Sequence, residues 1–320
     1  MTVLLALITV ASWGTWIPVA QVVPGVPQRS RTFYVTVANA VFATVALFAS
    51  GAHPSFGWRD FCVPFGGGIV WTLGNYSAFR ASETIGLARA AGTWTPLNIV
   101  TAFVWGAILG ELHGFSTARF AVLGAALILV LVGVLFIVNS QDAHLANEGA
   151  SGEAPASTGP HSEVERAGPA NPLSLDAGTY RRGLLWAIIA GVLWGSYFVP
   201  VQWAKVPTQV GNFALALGIL AAGLTLTLPA GEPVRLTPKV TSVQLTAGLL
   251  FGIGNLALLG LVSRVGTGVG FTIAQLSLLV NASIGVWVFK APKPGSRAAR
   301  SVLVGVLIAG VGGGVTGVVK

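Results

Sequence analysis

The chain has 320 residues, 53% of them hydrophobic and only 9% charged, with a mean hydropathy of +0.77. A soluble domain carries roughly 25% charged residues, so this composition excludes one and points to an integral membrane protein. The net charge of +8 is scattered over short loops, with no basic helix or aromatic-interleaved patch, which sets nucleic-acid binding aside.

A membrane-crossing helix needs about 20 apolar residues. Runs of that kind fall at 3–22, 33–51, 62–81, 85–109 and 120–138. Residues 139–182 are rich in Ala, Gly, Ser, Pro and Glu and hold six of the ten acids: Asp142, Glu148, Glu153, Glu163, Glu165 and Asp176. Such a stretch cannot bury a core and reads as a disordered acidic linker. Apolar runs resume at 183–203, 210–229, 243–262, 265–289 and 301–319. The expectation is an all-α membrane protein with ten transmembrane helices. Its first five-helix repeat spans 1–138, the linker 139–182 and the second repeat 183–320. An odd number of spans per half threads the second half upside down, giving a 5+5 inverted repeat.

The two halves echo each other. Residues 68–110 read GIVWTLGNYSAFRASETIGLARAAGTWTPLNIVTAFVWGAILG, and 248–270 read GLLFGIGNLALLGLVSRVGTGVG. At an offset of 180 positions Trp71 meets Phe251, Gly74 meets Gly254, Asn75 meets Asn255 and Gly86 meets Gly266. Trp13-Gly14-Thr15-Trp16 meets Trp194-Gly195-Ser196-Tyr197 at an offset of 181, which Gln21 and Gln202 keep. Two similar halves with polar residues at membrane depth are the pattern of a secondary transporter.

Polar side chains in hydrocarbon cost free energy unless satisfied, so they face a bundle interior or a wet cavity. Trp94, Asn98, Thr101 and Trp105 share one helical face, as do Ser277, Asn281 and Ile284, with Thr272 and Gln275 on another. Aromatic faces beside neutral amides and hydroxyls suit a neutral polyhydroxylated ligand. A cationic ligand calls for a carboxylate at mid-helix, and the sequence places none there. Trp16, Asn75, Trp94, Asn98, Tyr197, Asn255, Gln275 and Asn281 are the candidate substrate contacts. Packing is the competing role for each: Trp and Tyr form interfacial belts, Ser and Thr bond their own helix, and Asn75 and Asn255 can tie helices together. Glu111 and Glu83 are the carboxylates at helix ends that could carry coupling protons; an ion pair with Arg80 is the simpler role for Glu83.

One cysteine, Cys62, excludes an intrachain disulfide and a multi-thiolate metal site, and His53, His113, His144 and His161 form no ligand spacing. No catalytic motif or cofactor loop stands out, so the chain reads as a carrier and not an enzyme, with no metal and no cofactor. Met1 has no basic residues after it, so the first apolar run reads as a retained helix. Thirteen of the eighteen Lys and Arg fall on the side of the membrane opposite the termini, which by the positive-inside rule puts both termini outside.

WTLGNYSAFRASETIGLARAAGTWTPLNIVTAFVWGAILGE and GIGNLALLGLVSRVGTGVGFTIAQLSLLVNASIGVWVF resemble the glucose/ribose uptake family of the drug/metabolite transporter superfamily. The Gly-Asn pairs, Gly110-Glu111 and the Ser-Arg-Val-Gly-x-Gly-Val-Gly run into Gln275 carry the likeness. The resemblance implies a plasma-membrane, multi-pass carrier that takes up a glucose-like monosaccharide by alternating access, with protons as the coupling ion. It also implies termini in the cytoplasm, against the charge count. Two features depart from it: Lys290-Ala291 stands where a second Gly-Glu would, and the linker is unusually long and acidic. A metabolite or drug exporter of the same superfamily, and a membrane sensor that binds without transporting, are the alternatives. The sequence leaves the oligomeric state open.

Overall fold

The computed structural model describes residues 1–23, 25–85, 87–111, 113–151, 177–228, 235–288 and 294–318. These residues are helical, with no strand among them. The helices are α1 (Thr2–Gln21), α2 (Gln28–Ala49), α3 (Val63–Ile85), α4 (Leu87–Ile108), α5 (Thr117–Ser151) and α6 (Ala177–Trp194), followed by α7 (Val199–Ala204), α8 (Thr208–Thr227), α9 (Pro238–Val265), α10 (Thr267–Gln275), α11 (Ser277–Trp287) and α12 (Arg297–Val318). A π-helical turn, Trp58–Cys62, leads into α3. Among the described residues seven helical stretches are long and apolar enough to cross a membrane.

Local chemistry accounts for several of the helix starts. Pro27 and Pro207 precede α2 and α8, and Pro238 opens α9 behind Thr237, whose hydroxyl accepts from the Val240 amide. Proline fits there because the first helical N–H groups lack intrahelical partners. Along the shafts, hydroxyls fold back onto their own helix: Thr9 donates to the Leu5 carbonyl, Thr44 to Ala40, Ser77 to Leu73 and Thr272 to Gly268. These groups satisfy themselves and need no neighbour.

Two expected single spans are interrupted. The run 183–203 breaks into α6 and α7 over Gly195-Ser196-Tyr197-Phe198, just before Pro200, which has no amide to continue the ladder. The run 265–289 divides at Leu276 into α10 and α11. Their counterparts α1 and α4 stay continuous with Pro18 and Pro96 inside them. The linker edges also differ from expectation: α5 continues past 138 to Ser151 and α6 begins at Ala177, while 152–176 lie outside the described residues.

Packing joins the two halves of the chain more than it consolidates either. α1 packs on α9 and α11, α2 on α8 and α9, α3 on α6 and α8, and α4 on α6 and α10. The most extensive contact is α5 against α12. Glycines set the close approaches. Gly68 faces the Leu215 carbonyl, and Gly248 faces the Val35 carbonyl; both members of the second pair are the first pair displaced by 180 positions. Gly14 abuts Ser277 and Val280, and Gly195 abuts Asn98 and Thr101. Small residues of this kind let helix backbones meet where lipid supplies no hydrophobic drive.

Candidate functional site: an aromatic cavity

A cavity of about 320 Å³ lies between α1, α2, α3, α4, α6, α9, α10 and α11. Ligand sites run from about 300 to 1,000 Å³, so this one suits a small molecule. Its walls are aromatic. Trp16 and Trp71 sit 5.3 and 4.8 Å from Phe251, centroid to centroid, and Trp94 meets Trp194 edge-on at 5.5 Å. Between the rings the lining offers Gln21, Thr32, Thr36, Asn75, Thr95 and Asn98, with Gln275, Ser277 and Asn281 opposite. The break at Leu276 matters here: it brings Gln275, on one face of the sequence pattern, and Ser277 and Asn281, on the other, to the same cavity.

Seven of the eight candidate contacts line this cavity: Trp16, Asn75, Trp94, Asn98, Tyr197, Gln275 and Asn281. Asn255 does not. It is fully buried behind the wall, where its Oδ1 accepts from the Tyr197 hydroxyl at 2.8 Å and its Nδ2 donates to Asn212 Oδ1 at 3.0 Å. Trp105, expected on the Trp94–Asn98 face, instead donates from Nε1 to Ser196 Oγ at 2.8 Å and braces the α6–α7 turn. Several liners lay outside the sequence-based choice, among them Trp13, Trp71, Trp194, Phe251 and Phe271. The repeat itself pointed to four of them, as Trp13/Trp194 and Trp71/Phe251.

Polar atoms along this wall are left over. Trp13 Nε1, Trp194 Nε1 and Asn98 Oδ1 are buried without a hydrogen-bond partner, and so is Nε of Arg31, the one cation in the described lining. Buried polar groups are paired in the great majority of cases, so leftover donors and acceptors around a cavity mark where a ligand or water completes them.

Glu111 stands elsewhere. It lines a second cavity, also about 320 Å³, with Gln202, Arg264 and Gly266. Its carboxylate accepts from the Thr267 amide and from Thr267 Oγ1, the latter at 2.6 Å. A carboxylate at a helix N-terminus satisfies free amides and meets the positive end of the dipole. Gly266 makes room for it: its φ is +88°, and a Cβ there would come within 2.9 Å of Glu111 Oε2. The side chains of Glu83 and Arg89 lie outside the described residues.

The profile of a family described as "Sugar transport protein" matches residues 4–154 and 171–319. The chain belongs to this family. Membership makes it a transporter and not an enzyme, and with the seven apolar helices it is an integral, multi-pass membrane protein. Relatives in the family extend over its whole length. A Listeria innocua protein named for sugar uptake is 24% identical over 100% of this chain and 99% of its own. A Priestia megaterium protein named for glucose uptake is 23% identical over 100% of both. One solved crystal structure shares the fold, with a TM-score of 0.64 and 15% identity over 99% of this chain and 97% of the other.

Proposed function

We propose that the protein is a secondary carrier that takes up a glucose-like monosaccharide across the plasma membrane by alternating access. The aromatic cavity is its binding site, with Trp16, Asn75, Trp94, Asn98, Tyr197, Gln275 and Asn281 as contacts and Asn255 holding Tyr197 in place. The observation that carries the reading is the lining itself. Ring faces stack against the C–H faces of a pyranose, and neutral amides and hydroxyls exchange hydrogen bonds with its hydroxyl groups. Family membership and relatives named for sugar and glucose uptake support the substrate class.

In this reading α6 with α7, and α10 with α11, are each one interrupted span, and the chain is a ten-span, 5+5 inverted repeat. The reciprocal glycine contacts support it: a constant offset relates both partners of one contact to both partners of another, as a two-fold axis requires. Alternating access finds support in how the halves differ. Tyr197, Asn212 and Asn255 form a closed, buried network. Their counterparts at offsets of 181, 180 and 180, namely Trp16, Thr32 and Asn75, line the open cavity. Next to Tyr197, Phe198 stacks at 4.7 Å on Phe271, itself a liner of the cavity. In this reading the buried network is the closed counterpart of the cavity wall, and exchanging the two arrangements is a rocking step.

Proton coupling is assigned to Glu111. Both of its bonds need it as an acceptor, so a proton on the carboxylate weakens the tie between the end of α4 and the start of α10. Arg264 shares that cavity, and His113 lies beside Gly110. Counterflow of labelled glucose in proteoliposomes tests the central reading. Saturable binding without flux would make the protein a sensor. Efflux of organic cations or metabolites with no sugar counterflow would make it an exporter.

A further inference from the structure

Arg31 is the feature of the cavity that a neutral sugar leaves unused. It stands in the first turns of α2, half-buried, on the same wall as Thr32, Val35 and Thr36. Its Nε is buried without a partner, and among the described residues no hydrogen bond or ion pair reaches its side chain. No Asp or Glu appears in the described lining. The described lining therefore holds one positive charge and no negative one.

A charge whose donors are buried is costly and persists when something pairs with it. A guanidinium that merely marks the interface extends its head outward to lipid headgroups; this one lines the cavity. Its counterpart 180 positions on is Gly211, packed against Val201, so the charge belongs to one end of the pathway only. We propose that Arg31 is an anion subsite and that the preferred ligand is a sugar bearing one carboxylate, a hexuronate or similar sugar acid. This rests on the sugar-binding reading of the same cavity and narrows it. A planar fork of donors matches a carboxylate in bidentate geometry. One cation among neutral donors balances a monoanion; a dianionic phosphate would leave charge uncompensated.

The experiment compares D-glucuronate with D-glucose, measuring dissociation constants for the purified full-length protein in detergent. Wild type is expected to bind glucuronate more tightly. In Arg31→Gln the ratio of the two constants should fall roughly 10- to 100-fold, the range for a hydrogen bond to a charged group. Arg31→Lys, which keeps charge but loses the fork, should fall in between. Glucose binding to wild type with glucuronate no better would overturn the anion subsite and leave the sugar reading standing. So would an unchanged ratio in Arg31→Gln. If neither sugar binds wild type, both readings fall. The wild-type comparison decides the matter even if the variants do not fold.

Discussion

The indole of Trp194 occupies the space that a side chain at position 74 would need: a Cβ on Gly74 would stand 2.8 Å from its Cδ1. The repeat has a matching pair, since a Cβ on Gly254 would stand 3.0 Å from Nε1 of Trp13. Each tryptophan belongs to one half and each glycine to the other. The contact is made twice, with the roles of the halves exchanged.

Gly74→Ala and Gly254→Ala should therefore behave alike. Each added methyl must push an indole into the aromatic cavity, and overpacking of that kind costs ~1–3 kcal/mol. Thermal unfolding in detergent should show a lower midpoint for both. Sugar affinity should fall with it, because both rings line the cavity. A variant with unchanged midpoint and affinity would show that the contact has slack.

Asn75 and Asn255 occupy equivalent positions and should fail differently. Asn255→Ala strands the Tyr197 hydroxyl and the Asn212 carbonyl oxygen in a dry interior, a loss of ~1–3 kcal/mol. Asn75→Ala removes a cavity contact and should raise the sugar Kd with a smaller effect on stability. Measuring both quantities for both variants separates structural from binding roles. Equal effects on binding, with no difference in stability, would contradict the assignment.

Glu111→Gln keeps one of the two accepting oxygens, for the Thr267 amide, turns an NH2 toward the Thr267 hydroxyl, which can accept instead of donating, and cannot carry the coupling proton. Counterflow should continue, while uphill accumulation driven by an imposed pH gradient should be lost. Losing the charge at the start of α10 should cost only ~0.3–1 kcal/mol, so the protein should remain folded. Accumulation equal to wild type would exclude Glu111 as the coupling site.

Val206 offers a reporter for the proposed gate. It is half-buried, packed against the core near Gly211, in the connection between α7 and α8. With Cys62, exposed and the only native thiol, changed to serine, a Val206→Cys variant has a single thiol. Its labelling by a water-soluble maleimide should be slow at rest and change several-fold when sugar is added. A rate indifferent to sugar would argue against a gate at this end.

Much of this arrangement was legible in the sequence because the two halves echo each other at positions that pack together. The Trp13/Trp194 and Gly74/Gly254 echoes are pairs of surfaces that touch, and constraint on both halves kept both visible. What the echo could not tell is which copy is open. Asn75 and Asn255 read alike, yet one lines the cavity and the other is sealed behind Tyr197, a difference of surroundings and not of residue type. Arg31 escaped notice because arginines at a span's edge look like topology charges. The break at Leu276 left no signal, while that near Tyr197 could have been read from Pro200. Past residue 138 a polar stretch continues α5 as helix, where composition alone suggested a linker.

The pairing of α5 with α12 stands apart from the aromatic cavity, to whose described lining neither helix contributes. Gly133 lies against the backbone of Gly305 and Ala309, and Gly312 against that of Ala126 and Val130. Their other faces show Ile128, Phe136, Leu307 and Val311 to the surroundings. Two smooth rods in contact, one closing each half of the chain, give the proposed rocking step a fulcrum. In that proposal the other helices swing about this axle, and no side chain of the aromatic cavity has to serve as a hinge.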